Sequence, residues 1–155
     1  MLKRYLFAVL LTLLLTGCGA DYEERSAANK AEGQAFLTEN AKRPEVKVLP
    51  SGLQFEVLNS GDGPRPKLED SVRVHYTGTL VDGREFDSSR HRAPISFPLQ
   101  GVIPGWIEAL QLMPVGARWK LYIPSGLAYG PRVTGNIGPH STLIFDVELL
   151  GIEPR

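Results

Sequence analysis

Apolar and polar residues alternate along several stretches of the chain, and each such stretch predicts a strand with one buried face. Leu53, Phe55 and Val57 are separated by Gln54 and Glu56, and Val72, Val74 and Tyr76 by Arg73 and His75. Arg118–Ile123 reads as another strand, and in Thr142–Leu150 the residues Leu143, Phe145, Val147 and Leu149 share a face. Asn59–Pro66 is rich in turn formers, and Asp82-Gly83 signals a tight turn ahead of Phe86-Asp87-Ser88-Ser89. One segment changes period: Gly105–Leu112 has helical spacing and stops at Met113-Pro114. A helix of about two turns cannot cover two sheets. The pattern therefore predicts an α+β fold, a curved antiparallel sheet wrapped around one short helix.

The N-terminal part reads differently. Lys3 and Arg4 precede an apolar run, Tyr5–Thr16, that is shorter than the roughly 20 residues a membrane-spanning helix needs. Leu15-Thr16-Gly17-Cys18 follows and resembles a bacterial lipobox, in which the peptide is cut before an acylated cysteine. Residues 1–17 are thus expected to be a lipoprotein signal peptide and Cys18 the lipidated first residue. Acyl chains contribute about 0.8 kcal/mol per buried CH₂, so two or more anchor firmly. By resemblance to lipoprotein sorting, Gly19 after the cysteine fits the outer membrane.

Residues 19–43, rich in Ala, Glu, Lys and Asn, have helix-forming composition. Asn29 and Glu32 have capping-box spacing, Lys42 and Arg43 suit a helix C-terminus, and Pro44 ends the helix. The apolar face is thin: Ala28, Ala31, Ala35 and Phe36. It predicts a solvated stalk and a monomeric protein; the alternative is a dimerising helix.

Composition narrows the chemistry. Among 155 residues, Lys plus Arg and Asp plus Glu are 17 each, so the formal net charge is zero, which argues against nucleic acid as a partner. Loss of residues 1–17 removes Lys3 and Arg4 and leaves 15 basic against 17 acidic side chains. One cysteine excludes an internal disulfide framework and a multi-cysteine metal site. His75, His91 and His140 lack paired metal-ligand spacing, so no metal is expected. Asp87, Ser89 and His91 have triad residue types but lie too close in sequence to converge on one point. Gly61-Asp62-Gly63 lacks the rest of a phosphate cradle, and no nucleophile elbow is present. An enzyme of this sequence would work without metal, cofactor or covalent intermediate.

What remains is a set of aromatic and aliphatic residues with a few polar members, several at element ends where binding groups gather: Tyr76, Phe86, Asp87, Phe97, Val102, Ile103, Trp106, Tyr129, Ile137 and Phe145. Val74-His75-Tyr76-Thr77-Gly78, Gly83–Ser89, Val102–Trp106, Gly116, Leu127–Gly130 and Ser141–Leu150 resemble the FKBP family of peptidyl-prolyl cis–trans isomerases. The likeness runs from about Val48 to Ile152. Ile103-Pro104-Gly105-Trp106, Pro124–Pro131 and Asn29–Gly33 with Phe36-Leu37 resemble its bacterial branch, including macrophage infectivity potentiator proteins.

With the lipobox and the stalk, the resemblance divides the chain into an expected signal peptide at 1–17, a lipidated N-terminus and stalk at 18–46, and an isomerase domain at 47–155. It implies a half-barrel of five or six strands around the short helix. Trp106 would floor a pocket walled by Tyr76, Phe86, Phe97 and Phe145. The Ile103 N–H and the Tyr129 hydroxyl would donate to substrate carbonyls. Asp87 would stand beside the twisting amide with Arg92 close to it, and Val102 and Ile137 would complete the contacts. Asp87, Tyr129 and Phe86 are then the candidate catalytic residues. Proline-containing polypeptides would be substrates and macrolides such as rapamycin inhibitors, in a lipid-anchored envelope protein facing the periplasm. A binding module using the same pocket with little turnover is the alternative.

The chemistry is consistent with the absent nucleophile. Rotation about a peptide bond faces about 18–20 kcal/mol because resonance is lost at the twisted geometry. The twisted amide is less polar than the planar one, so an apolar, water-poor pocket favours it relative to water. Hydrogen bonds aimed at that geometry add to the effect.

Overall fold

The computed structural model describes residues 17–153, so residues 1–16 of the expected signal peptide lie outside the described residues. The chain runs α1 (Gly17–Asn40), β1 (Val46–Val48), β2 (Gln54–Asn59), β3 (Ser71–Leu80), β4 (Glu85–Ser88), β5 (Ile95–Pro98), α2 (Pro104–Leu112), β6 (Arg118–Ile123) and β7 (Leu143–Glu153). The period-two stretches form β2, β3, β6 and β7, and the helical one forms α2. All strands pair antiparallel in one sheet of order β1-β2-β6-β7-β3-β4. β4 and β5 share the outer edge of β3, β5 against Ser71–Val74 and β4 against Thr77–Thr79. The sheet has seven strands where five or six were expected, because β1, β4 and β5 are only three or four residues long.

Register shifts bend the sheet. They occur at Arg73/Val74 between β3 and β7, at Val57/Asn59 between β2 and β6, and at Gly78/Thr79 between β3 and β4. An unpaired residue increases local twist, which lets a sheet wrap a helix. Pro104 opens α2 with a pre-set φ, and Met113 closes it by donating its N–H to the Ala109 and Leu110 carbonyls. Ala109, Leu110 and Met113 are fully buried against Val72, Val74, Leu121, Ile123, Val147 and Leu149. Gly105 permits the close approach: a Cβ there would sit 2.6 Å from the Ile123 side chain.

The N-terminal helix departs from expectation. Ala28, Ala31 and Ala35 are exposed. The shielded residues are Tyr22, Ser26, Asn29, Gly33, Phe36, Leu37 and Asn40, with Ser26 and Asn40 at 4% and 5% exposure. Asn29 is not an N-cap but lies inside a continuous helix, and Lys42 and Arg43 lie beyond its end. The stalk is therefore docked rather than solvated, through a face in which polar and small residues outnumber the apolar Phe36 and Leu37. Asn40 Nδ2 donates to Gln54 Oε1 at 2.9 Å, and Gln54 Nε2 donates to the Leu37 carbonyl at 2.9 Å. The Phe36 ring meets the Tyr122 ring at 5.8 Å. Just past the helix, Arg43 donates to Asn40 Oδ1, the Tyr122 hydroxyl, Glu45 and Glu56 at 2.6–3.0 Å. Among the described residues no helix is long and apolar enough to cross a membrane.

The two leucines near the end of α2 separate packing from surface effects. Leu110→Ala leaves a cavity and should lower unfolding free energy by about 2–5 kcal/mol. Leu112, 40% exposed, should cost much less when changed to Ala. Denaturant midpoints of the two variants check this.

Candidate functional site

A cavity of about 710 Å³ opens between the N-terminal end of α2 and the sheet. Its floor is Trp106, 4% exposed in the first turn of α2. Three rings meet the indole edge-to-face: Phe145 of β7 at 5.2 Å and 79°, Tyr76 of β3 at 5.3 Å and 84°, and Phe97 of β5 at 5.9 Å and 90°. Phe86 of β4 meets Phe145 in the same way at 5.5 Å and 86°. Edge-to-face pairs set positive ring edges against negative faces and add about 0.5–1.5 kcal/mol each beyond burial. Gly78 makes room, since a Cβ there would lie 2.5–2.8 Å from the Phe86 and Phe145 rings.

The rim is built from loops. Val102 and Ile103 lead into α2, and the Ile103 carbonyl accepts from the Trp106 and Ile107 N–H groups at 3.0 and 3.1 Å. The Ile103 N–H and the Tyr129 hydroxyl have no hydrogen-bond partner among the described residues. Ile137, 5% exposed, enters the cavity from the loop after Tyr129.

Asp87 supplies the polar wall. The Tyr76 hydroxyl donates to Asp87 Oδ2. Arg92 and the Ser88 N–H donate to Oδ1 at 3.1 and 2.9 Å. Arg92 stands outside the cavity lining and acts on it through this carboxylate. Ser89, fully buried, accepts the Tyr76 N–H at 2.9 Å through its Oγ and lies 3.0 Å from His75 Nδ1. That bond anchors the backbone that carries Tyr76, and Ser89 is occupied structurally.

Three rings thus meet Trp106 at the start of the helix that the sheet wraps, and a fourth, Phe86, packs on Phe145. Family models extend the likeness. One described as FKBP-type peptidyl-prolyl cis-trans isomerase matches residues 63–150, and one described as the domain amino terminal to it matches residues 16–57. The chain belongs to the FKBP-type family. It is 58% identical over 131 residues to the FKBP-type 22 kDa peptidyl-prolyl cis-trans isomerase of Escherichia coli, covering 83% of this chain and 64% of that protein. It is 47% identical over 142 residues to the outer membrane protein MIP of Legionella longbeachae, covering 90% of this chain and 61% of that one. The crystal structure of FkpA from Escherichia coli superposes with a TM-score of 0.84 at 48% identity, covering 88% of this chain and 64% of that chain. The chain thus spans less than two thirds of the length of each of these relatives.

Within this FKBP-type domain the structure brings every candidate except Arg92 to the cavity wall. It also adds Gly101, Pro104, Ala128, Arg132, Thr134, Gly135 and Asn136; Pro104 and Ala128 lie in motifs that carry the resemblance, and none of the seven was named as a site residue. Arg132 lies 6.0 Å over the Tyr129 ring and its Nε donates to the Tyr129 carbonyl at 3.3 Å. The Gly/Pro-rich composition of this loop was its only signal. Among the described residues no group of three His, Cys, Asp or Glu side chains could hold a metal ion.

Burial, together with the hydrogen bond and charge of Asp87, pushes the Tyr76 phenol up to about 12 from 10.0. The folded state then holds this proton more tightly than the unfolded state. The associated stability is complete below pH 10 and is lost as pH rises through about 12. Tyr76→Phe should remove one late step from the phenolate absorbance titration. It should also flatten the alkaline loss of stability in that window, read from denaturant midpoints.

Proposed function

We propose that this protein is a peptidyl-prolyl cis–trans isomerase acting on proline-containing polypeptides as exported proteins fold. The observation that carries this reading is the apolar ring cage on Trp106 with two unengaged donors at its rim, the Ile103 N–H and the Tyr129 hydroxyl. A proline ring fits an apolar floor, and the donors fit the peptide carbonyls around it. The cage excludes water and so favours the less polar twisted amide. Tyr129 and Ile103 hold the peptide in that geometry, and Phe86 packs the wall beside it. Asp87, fixed by Tyr76, Ser88 and Arg92, faces the amide without having to reorganise during rotation. Tyr76, Phe97, Val102, Ile137 and Phe145 complete the substrate contacts. Macrolides such as rapamycin, which place an apolar ring and carbonyls in the same arrangement, would compete for the site.

The segments follow: a cleaved signal at 1–17, a lipidated N-terminus and helix at 18–46, and the isomerase domain at 47–155. Cys18 is exposed at the start of α1, where acyl chains would meet no obstruction. The name of the Legionella longbeachae relative supports placement at the outer membrane, here facing the periplasm. Because α1 spends its shielded stripe on its own domain, the protein is read as a monomer.

Uncatalysed isomerisation takes tens to hundreds of seconds. A thousandfold acceleration requires about 4 kcal/mol of transition-state stabilisation. The purified chain should accelerate isomerisation of peptides with an apolar residue before proline, and a folded sample that fails to do so refutes the isomerase. Asp87→Leu should lower kcat about tenfold or more with KM within a few fold, whereas Trp106→Ala should weaken both binding and turnover. Equal loss of binding and turnover in Asp87→Leu would move Asp87 from rotation to ground-state contact.

The anchor has its own readout. Cys18→Ala should abolish membrane association in cell fractions and remove the acyl mass from the intact protein. Wild-type protein that keeps residues 1–17 and carries no lipid would remove the lipoprotein reading.

A further inference from the structure

The loop Pro131–Pro139 closes one side of the cavity, and α1 holds it from outside. The Tyr22 hydroxyl donates to the Pro131 carbonyl at 2.8 Å, and Asn29 Nδ2 donates to the Pro139 carbonyl at 2.7 Å. These two carbonyls mark the two ends of the loop. Neither proline has an N–H with which to fasten the stem from within. Inside the loop, Thr134 and Ile137 exchange backbone bonds at 3.0 and 2.9 Å, and His140 N–H closes the stem onto the Gly130 carbonyl at 2.8 Å. His140 turns with φ of 54°, a left-handed conformation, directly after Pro139.

The helix cannot shift without losing these bonds. Gly33 lies so close to β7's entry that a Cβ would overlap the Thr142 hydroxyl. Ser26, between the two donors, is buried. Arg43 ties the far end of the helix to Tyr122, Glu45 and Glu56. Beside the contact runs a small polar cleft of about 140 Å³ that includes Arg25, Glu32 and Arg84, so α1 meets the loop through polar bonds and not through an apolar seam.

We propose that α1 is a strut for the cavity loop, and that Tyr22 and Asn29 are positioning residues that set substrate affinity by fixing where Thr134, Gly135, Asn136 and Ile137 stand. The affinity part rests on the cavity being the isomerase site proposed above; the mechanical part does not.

Two isosteric variants of the full chain in detergent separate these parts. Tyr22→Phe and Asn29→Asp keep size and packing but remove the donors, and the aspartate sets a negative oxygen against the Pro139 carbonyl. Amide hydrogen exchange at Thr134, Ile137 and His140 should quicken about 3–10-fold, the range expected for a lost hydrogen bond. Exchange at Leu121 and Val147 in the sheet should stay unchanged. KM should rise several-fold with kcat within about twofold, because loop contacts are shared by ground and transition states. Gly33→Ala adds a sign test. On a free helix Ala is the better residue and the change would stabilise. On the docked helix it should lower the denaturant midpoint. Unchanged loop exchange in both Tyr22→Phe and Asn29→Asp, or a stabilising Gly33→Ala, overturns the strut. Faster exchange with unchanged KM overturns the positioning role. Faster exchange in a protein whose wild type lacks isomerase activity sustains the strut and refutes the isomerase.

Discussion

The site depends on how closely α2 approaches β6. Gly105 lets the helix backbone come down onto Ile123, and the next residue is Trp106. A bulkier residue at Gly105 would lift the start of the helix and with it the indole that three rings touch edge-on. The rings come from three different strands, β3, β5 and β7, so the cage records the relative placement of nearly half the sheet. Gly78 plays the matching part on the sheet side, where its missing side chain admits Phe86 and Phe145. Two positions without a Cβ thus determine a cavity whose walls are aromatic.

The second constraint is the polar character of the α1 contact. An apolar seam tolerates sliding, because dispersion and burial are nearly indifferent to small shifts of register. A seam of hydrogen bonds is not, since a donor displaced from its carbonyl is left unsatisfied at a cost of about 1–3 kcal/mol when buried. Asn29, Asn40 and Gln54 bond to fixed partners, and Arg43, just past the helix, joins four acceptors. Orientation is specified more sharply than stability is increased.

Much of this was legible from residue order. β2, β3, β6 and β7 follow their alternation, and α2 its helical spacing. The aromatic set converges from the middle of β3, from β4, β5 and β7 and from the first turn of α2, and the resemblance had named those residues. β1, β4 and β5 were too short for a period to register, although Phe86 and Phe97 on the last two were identified as site residues. Gly101 and Gly135 left no signal, since they line the cavity with backbone alone. The docking of α1 was hidden for a different reason. Its inward residues are mostly Tyr, Ser, Asn and Gly, with Phe36 and Leu37 the apolar ones, whereas the apolar face read from the sequence combined Phe36 with the exposed Ala28, Ala31 and Ala35. Asn29 has a capping residue's identity and spacing, but its partner is a carbonyl 110 residues away.

The position of β7 has a consequence for how the chain reaches this state. Last in the sequence, it lies between β6 and β3 in the middle of the sheet. Ten of its residues pair with β3, and six with β6. Without β7, β3 and β6 have no neighbour to share and Trp106 has no Phe145 to meet. Contacts this far apart in sequence are closed late and slowly. The sheet and the ring cage therefore close together, when β7 inserts between the two strands it joins.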